Sequence, residues 1–577
     1  MSKKLRIIIA IIVIIILGVA GFFIAKKIEQ ENRKYNIENI SEYNYFVIKE
    51  DNKYGIMDKE GKTIIEPNYD NIKIPNPTKA VFFCYQDDEI IAINDKNEKI
   101  FTEYENVTPL RLKNISSDLM YEKSVLKYKE NEKYGLIDFN GEKITKAIYD
   151  EIDTLQFKEG ELLVKSKEKY GVINIKGHIL VKIKYDKVEV DKYYSSKGNY
   201  KEAGYIVCNT TNEGYRYGYV NTNGKEIIET KYNDLYRVTD IQSKDIYIIA
   251  ADNGKYGMFK NNKQVIKNDY QSLVYNSENN LVIALKGKKY GVITLEEKVI
   301  IPFQYNQIDV TGRYIYATES NEKVVVFDNQ GKESDIDENT AIINVQDTNY
   351  EIYIKSTNDS TTYSIYEDSK KKTNKSYTYI EYLYNGYFIA CNSNKKIGII
   401  DSDENIKADF KYDSMRKIEN TTIVEFIDDS TKNSYFYSKD TKQVAQMKNA
   451  VVENENNYIK IYNNQDRIYL STDGQAIEYT DIKPNNELYA KKQNGKWGFV
   501  NSKGNKIINY EYDFVTELNQ YGFAGIQKDG KWGIINKEGK IIVNPIYELT
   551  KEKEPNFIGK YYEATYGNGE IYYSDMK

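Results

Sequence analysis

The side chains that most often carry acid–base, nucleophilic or metal chemistry are scarce in this sequence. The only histidine among the 577 residues is His178, in the stretch Lys176-Gly177-His178-Ile179. A single histidine excludes His-rich metal sites and argues against a Ser–His–Asp triad, and the local sequence places His178 in a solvated turn. The chain contains no Gly-rich phosphate loop, no HExxH motif and no CxxC pair. The sequence therefore nominates no catalytic, cofactor-binding or metal-binding residue, and it leaves the ligand-binding residues unknown.

Carboxylates are abundant, with 86 Asp and Glu residues in the chain. Several aspartates recur at one position of a repeated motif, where a side chain usually closes its own turn. Calcium binding is the alternative, but stretches such as Asp138-Phe139-Asn140-Gly141 lack the alternating acids of a calcium loop. A glycosidase would need two opposed carboxylates, and spacing alone cannot single out a pair. The recurrent aspartates are Asp58, Asp95, Asp138, Asp328 and Asp401.

The number of cysteines and the distribution of charge argue against disulfide-rich, metal-binding and nucleic-acid-binding proteins. Cys84, Cys208 and Cys391 are far apart and odd in number, so they predict no disulfide framework, no metal site and no disulfide-linked partner. Residues 1–34 carry seven basic and two acidic side chains, a net charge of +5, and the total of −5 leaves −10 for the rest. We expect no nucleic-acid partner, because binding to phosphates needs clustered Lys and Arg.

A short motif returns along the whole chain. It reads aromatic-Gly, two apolar residues, Asp or Asn, two spacers and Gly, as in residues 497–504 and 532–539. Nine clear and five degenerate copies make fourteen, and the steps from Gly55 to Gly533 average about 37 residues, which is typical of repeat architectures. The clear copies centre on Gly55, Gly135, Gly171, Gly218, Gly257, Gly291, Gly398, Gly498 and Gly533. The degenerate copies centre on Ala92, Val325, Ser364, Tyr435 and Ile468.

Each copy has the composition of a β-hairpin unit, with short β-branched and aromatic runs cut by Gly, Asn and Asp. The Gly after Trp or Tyr leaves space for a neighbouring aromatic ring or backbone to pack closely. We therefore expect Gly498→Val to force a branched side chain into an aromatic layer. A second recurrent aromatic, such as Tyr512, closes the third run. We interpret the 56 tyrosines mainly as repeated core, and an aromatic ligand platform remains the alternative.

The motif resembles the WG-repeat (KWG-repeat) family of bacterial tandem β-repeats. The resemblance covers residues 41–550 and is strongest at Trp497-Gly498 and Trp532-Gly533. The family carries no established catalytic motif, so the resemblance transfers no functional residue.

The N-terminus contains an apolar run from Ile7 to Ala25 without a charged residue. As a helix it would be about 28 Å long, enough to cross a hydrocarbon core of about 30 Å. Basic residues precede and follow this run, and Glu29 and Glu31 dilute the second cluster, so we expect a cytoplasmic N-terminus and extracellular repeats. The alternative is a secreted protein, released by cleavage of a signal peptide near Ala20.

Three or four short strands per repeat predict an all-β repeat protein. We expect two β-propellers preceded by one transmembrane helix, because variable spacing between copies suits blades better than coils. An open β-solenoid of stacked hairpins is the alternative. The expected segments are a membrane anchor and juxtamembrane segment at 1–34, seven repeats at 35–310, seven more at 311–554, and a closing or capping hairpin at 555–577.

The apolar N-terminal run, the repeats and the lack of catalytic motifs together predict a membrane-anchored, non-enzymatic binding scaffold. We expect it to be displayed outside the cell, where it binds a protein or a cell-wall glycan. No cofactor is expected. The alternative is an enzyme that acts on envelope glycans through carboxylates in a propeller channel, which rests on analogy between folds.

Overall fold

The computed structural model describes residues 31–576 with internal gaps at 32, 88, 114–118, 157, 195–199, 239–244, 338, 369, 455–456, 464, 479–487, 550–553 and 566–569. The predicted membrane segment at 7–25 and the alternative cleavage site near Ala20 lie outside the described residues. Among the described residues, no helix is both long enough and apolar enough to cross a bilayer.

The described backbone forms fourteen sheets. Most of them are antiparallel meanders of three or four consecutive strands. We call each sheet a blade. The first seven blades are built on β1 (Tyr45–Glu50), β2 (Lys53–Asp58), β3 (Thr63–Tyr69); β4 (Asn71–Lys73), β5 (Phe82–Gln86), β6 (Glu89–Ile93); β7 (Asn106–Thr108), β8 (Leu126–Glu130), β9 (Lys133–Ile137); β10 (Glu151–Thr154), β11 (Glu161–Ser166), β12 (Lys169–Asn174), β13 (Ile179–Tyr185); β14 (Lys187–Tyr194), β15 (Tyr200–Thr211), β16 (Gly214–Val220), β17 (Glu226–Tyr232); β18 (Asp234–Val238), β19 (Tyr247–Asp252), β20 (Lys255–Lys260), β21 (Lys263–Tyr270); and β22 (Ser272–Asn276), β23 (Leu281–Lys286), β24 (Lys289–Thr294), β25 (Val299–Tyr305).

The remaining blades follow the same plan. They are built on β26 (Gln307–Thr311), β27 (Tyr314–Thr318), β28 (Val324–Asp328); β29 (Thr340–Asn344), β30 (Tyr350–Ser356), β31 (Thr361–Glu367), β32 (Lys370–Lys371); β33 (Tyr379–Tyr384), β34 (Tyr387–Cys391), β35 (Ile397–Asp401), β36 (Ile406–Tyr412); β37 (Ser414–Lys417), β38 (Val424–Asp428), β39 (Asn433–Tyr437), β40 (Gln443–Lys448); β41 (Val451–Asn454), β42 (Tyr458–Tyr462), β43 (Arg467–Ser471); β44 (Leu488–Gln493), β45 (Lys496–Asn501), β46 (Lys506–Tyr512); and β47 (Phe514–Val515), β48 (Phe523–Lys528), β49 (Lys531–Asn536), β50 (Ile541–Tyr547).

The C-terminal segment adds three more strands, β51 (Phe557–Ile558), β52 (Tyr561–Thr565) and β53 (Ile571–Asp575). They extend the first blade to six strands in the order β3-β2-β1-β53-β52-β51. The turn predicted for this segment at 567–569 lies outside the described residues.

This arrangement is an all-β repeat protein built from β-propeller blades, with one blade for each of the fourteen predicted repeats. The solenoid alternative is wrong, because successive repeats form separate sheets instead of adding strands to one continuous stack.

The chain divides into two compact units. Counting only described residues, the first unit holds those up to Ser277 with Leu295–Glu297 and Tyr566–Tyr572. The second unit holds those of Glu278–Thr294, Lys298–Thr565 and Tyr573–Lys577. The predicted boundary at residue 310 stays a prediction.

Apolar cores in the first unit form where consecutive blades face each other. Leu155 and Val172 from the β10–β13 blade pack in one cluster with Val188 and Val207 from the β14–β17 blade. Tyr185, which closes β13, lies buried in the same cluster, so here the recurrent tyrosine is core, as predicted.

The second unit repeats this packing. Ile399 and Tyr412 of the β33–β36 blade share a buried cluster with Val424 and Phe426 of the β37–β40 blade. The Tyr412 hydroxyl lies 2.6 Å from that of Tyr437, so the buried phenols satisfy each other.

The motif glycine faces a backbone bulge. In the blade that contains Gly498, Trp497 pairs with Tyr512 and Phe499 pairs with Ile508, so the partner strand holds extra residues opposite the glycine. A Cβ on Gly498 would lie 2.6 Å from the Ile508 carbonyl oxygen. The expected clash with an aromatic layer is therefore wrong for Gly498, since backbone fills this space. Seven more glycines meet the equivalent carbonyl: Gly55, Gly171, Gly218, Gly257, Gly291, Gly398 and Gly533.

The motif Asp or Asn closes its own turn, as predicted. The Asp138 carboxylate accepts the backbone N–H groups of Asn140 at 2.9 Å and Glu142 at 2.8 Å. His178 lies in such a turn and donates its backbone N–H to the Asn174 side chain at 3.0 Å.

Asp95 is an exception to this rule, and its assignment as a motif aspartate is wrong. Cys84 pairs with Ile91 in this blade, so Ile91 instead of Ala92 holds the glycine position, and the motif lies one residue earlier than expected. Asn94 closes the turn instead, accepting the N–H groups of Lys96 and Glu98. Asp95 accepts the Tyr45 hydroxyl at 3.0 Å.

A second carboxylate links successive blades. Asp186 follows the tyrosine that closes β13, and its carboxylate binds Lys169 of its own repeat at 2.6 Å. The same carboxylate accepts the backbone N–H of Thr210 in the next blade at 2.7 Å. These bonds lower the pKa of Asp186, the lysine contributing most. The same double contact is made by Asp70, Asp150, Asp413 and Asp513.

We predict that Gly498→Val lowers the melting temperature by several degrees, because overpacking against backbone costs about 1–3 kcal/mol or more. Thermal unfolding followed by circular dichroism measures this change. Lys506→Val, at an exposed position of the facing strand, is the control and should melt like the wild type. An unchanged midpoint for Gly498→Val would show that the bulge can move aside.

We predict that Asp413→Ala lowers the melting temperature at pH 7 by a small amount of about 1–3 °C, since exposed ion pairs contribute little but the N–H of Asp429 loses its acceptor. The folded-state pKa of Asp413 is depressed, chiefly by Lys396. Its contribution is therefore present above the unfolded pKa of about 3.9 and is lost as the pH falls through the folded pKa. The variant and the wild type should converge in acid, whereas Asp409→Ala, on an exposed strand position, should match the wild type at every pH.

Candidate functional site

The first unit contains a cleft of about 660 Å³ between two consecutive blades. One wall comes from β10 and the residues that follow it, and the other comes from the start of β14. The lining residues are Lys113, Glu151, Asp153, Thr154, Leu155, Gln156, Leu163, Lys165, Tyr170, Asp186, Lys187, Val188, Glu189, Val190 and Ile206.

The two walls are strand edges. If a strand lined the cleft with one face, only every second residue would contribute. Residues 186–190 and 153–156 instead line the cleft consecutively, which indicates that the strands meet it with their edges. In the sheet order, β10 and β14 are each the terminal strand of their blade. Backbone groups and side chains of both walls are therefore presented to the cleft together.

Ion pairs cover the walls. Lys113 pairs with Asp153, Lys165 pairs with Glu151 at 3.2 Å, and Lys187 pairs with Glu189 at 2.7 Å. The carboxylates of Glu168 and Glu151 accept hydrogen bonds from Lys165 and raise its pKa, and the Glu189 carboxylate raises the pKa of Lys187 in the same way. Lys165 and Lys187 therefore remain charged at neutral pH, so the cleft offers donors and acceptors side by side.

Aliphatic and aromatic side chains form the floor. Leu155, Val188 and Val190 are buried, and Tyr170 lies half-buried beside them. The Lys165 ammonium lies 5.6 Å from the centroid of the Tyr170 ring. The floor can therefore receive an apolar group while the walls bind polar ones.

A buried ion pair supports the wall that β14 forms. Asp191 directly follows Val190, and its carboxylate accepts the Tyr219 hydroxyl at 2.6 Å and an Arg237 N–H at 2.9 Å. Burial raises the pKa of Asp191, and the two partners oppose that rise. This contact joins β14 to the next blade and fixes the position of the cleft wall.

Sequence reasoning nominated no residue of this cleft. Of its lining, Tyr170 belongs to the motif and Asp186 follows the tyrosine that closes the repeat. The walls come from the first strand of each repeat, where no motif residue stands. A usable signal was the alternation Lys187-Val188-Glu189-Val190, which places two charges on one side of a strand and two apolar residues on the other. His178 does not line the cleft, and the three cysteines do not either.

The second unit has a smaller cleft of about 300 Å³, built from the same repeat positions. Tyr363 replaces Tyr170, and residues 379–382 replace 187–190. Ile343 stands where Asp153 stands in the first cleft, so this cleft is mainly apolar. Its lining residues are Ile343, Val345, Ile352, Ile354, Tyr363, Tyr379, Ile380, Glu381 and Tyr382.

The family comparison identifies WG-containing repeats at residues 54–75, 170–192, 217–256, 497–532 and 532–551. The matched regions include motif tyrosines as well as both tryptophans. The resemblance seen in the sequence is confirmed. No curated protein matches the chain.

Solved structures align weakly. A eukaryotic initiation factor has a TM-score of 0.26 at 11% identity, over 64% of this chain and 95% of that one. The C-terminal WD40 domain of Sif2 has a TM-score of 0.23 at 10% identity, over 49% and 95%. BamB from Moraxella catarrhalis has a TM-score of 0.18 at 8% identity, over 51% and 96%. At these scores the alignments carry no argument about this protein.

Proposed function

This chain contains WG repeats, and on that premise we propose that it is a non-enzymatic protein-binding scaffold whose cleft between the β10–β13 and β14–β17 blades receives the partner. Repeated blades expose many similar surfaces, which suits binding to a large ligand. The cleft in the first unit combines an apolar floor with polar walls, as binding sites commonly do.

The pairing of the carboxylates carries this proposal. Glu151, Asp153 and Glu189 are each paired with a lysine inside the cleft, and Asp186 is paired with Lys169. A general acid needs a raised pKa, but the pKa of Asp186 is lowered. These contacts favour binding over the glycan-cleaving alternative at this site.

The scaffold is anchored in the cell membrane through residues 7–25, with the N-terminus in the cytoplasm and the repeats outside. The uncharged run is long enough to span a bilayer. The net positive charge before it, from Lys3, Lys4, Arg6 and the terminal amine, exceeds that after it, where Glu29 and Glu31 offset part of the basic cluster. The blades form two β-propellers of seven, divided near residue 310, since fourteen repeats split evenly at that point.

We predict that Gln156→Trp reduces partner capture by about tenfold or more, because the new indole fills the cleft mouth at an exposed position. Full-length protein in detergent is immobilised and exposed separately to envelope proteins and to purified cell-wall glycan. Gln86→Trp, exposed on β5, is the matched control and should bind like the wild type.

Capture of envelope proteins that Gln156→Trp abolishes supports the scaffold. Retention of glycan instead of protein, or release of glycan fragments, would favour the envelope enzyme. Equal protein capture by Gln156→Trp and the wild type would place the binding surface elsewhere.

We predict that protease added to intact cells removes the repeats and leaves an N-terminal stub in the membrane fraction. Immunoblotting with tags at each terminus measures this, and a cytoplasmic marker protein is the control for lysis. Protected repeats would reverse the topology, and repeats found in the medium before protease addition would indicate cleavage near Ala20.

A further inference from the structure

The exposed edge of β14 can accept another strand. Strand β14 pairs with β15 and ends the sheet order of its blade, and in the described part of the chain no strand pairs with its other edge. Its first residues line the cleft consecutively, as an edge does. The backbone N–H and C=O groups of such an edge are the template on which an extended chain forms a ladder.

The facing wall already contacts another segment of this chain, at residues 111–113. Lys113 pairs with Gln156 as an isolated parallel bridge beyond the end of β10. The Thr154 hydroxyl donates to the Arg111 carbonyl at 2.6 Å, which fixes the same segment. One wall of the cleft therefore already makes a contact between a strand end and another part of the chain.

The charged side chains of β14 determine which charges a strand paired with its edge can carry. Lys187 and Glu189 are two residues apart and exposed, at 61% and 54% of their side-chain surface, whereas Val188 and Val190 between them are buried. Residues directly opposite each other across a ladder interact, and like charges there are destabilising. A paired strand should therefore place an acid beside Lys187 and a base beside Glu189.

We propose that the cleft binds an extended peptide segment of its partner by adding it as a strand to the edge of β14, and that the segment carries one acidic and one basic residue two positions apart. Backbone pairing supplies the affinity, and the two charges set the register. This inference rests on the proposed protein-binding function and specifies its ligand.

Two blocked peptides with opposite charge order test this inference, Ser-Val-Lys-Val-Glu-Val-Ser and Ser-Val-Glu-Val-Lys-Val-Ser. Their affinities for the full-length protein in detergent are measured by fluorescence anisotropy. We expect the added strand to run antiparallel to β14, as β15 does on its other edge, so that it reads Lys-x-Glu opposite Glu189 and Lys187. The wild type should therefore prefer Ser-Val-Lys-Val-Glu-Val-Ser by roughly tenfold, since two pairs change from attractive to repulsive in the other peptide. The double variant Lys187→Glu/Glu189→Lys should prefer the other order.

The matched control exchanges an equivalent ion pair on the opposite edge of the same blade. Glu229 and Lys231 of β17 are also two residues apart and pair at 2.8 Å. The variant Glu229→Lys/Lys231→Glu should keep the wild-type preference, and melting curves confirm that both double variants fold.

An order preference that inverts only when Lys187 and Glu189 are exchanged supports the inference. It is overturned if neither peptide binds, if both bind equally, or if the β17 exchange has the same effect. The capture experiment with Gln156→Trp is independent of peptide order, so protein capture without an inverted preference would reject the strand ligand and leave the scaffold function standing.

Discussion

The contact on which this structure depends is made by the aspartate that follows the closing tyrosine of a repeat. One carboxylate, as at Asp186, binds the motif lysine of its own repeat and also accepts a backbone N–H from the next blade. The ion pair alone is solvent-exposed and contributes little to stability. The double contact of this carboxylate is important for geometry, because it holds the turn of the next blade at a fixed position relative to the previous blade.

The motif glycine sets the strand register within a blade, whereas the aspartate fixes the position of the next blade. Opposite Gly498 the partner strand bulges, and the Ile508 carbonyl takes the space of a side chain. The bulge changes the register of the last strand, which brings Tyr512 opposite Trp497 and places the following aspartate beyond the strand end. Glycine, bulge, tyrosine and aspartate therefore form one local device, and its repetition builds the whole chain.

Most residues that line the proposed binding cleft lie outside this device, although Tyr170 and Asp186 belong to it. In the clear copies the motif Lys and Gly and the following Tyr and Asp fix the blades, and the first strand of the repeat carries none of these residues. The two clefts show that this strand varies, since equivalent positions hold Asp153 in one and Ile343 in the other. A scaffold with a constant frame and variable first strands can present different chemistry from each pair of blades.

The sequence by itself determined the all-β class, the repeat period and the fourteen units, because glycine, turn aspartate and aromatic residues act through contacts within one repeat. It also determined the positions of His178 and of the turn-closing Asp138. Only the tertiary structure decided that backbone, not an aromatic ring, faces Gly498, that Asn94 replaces Asp95, and that the cleft lies between β10 and β14. Each of these depends on strand register or on contacts between repeats, and neither is encoded in the spacing of residues along the chain.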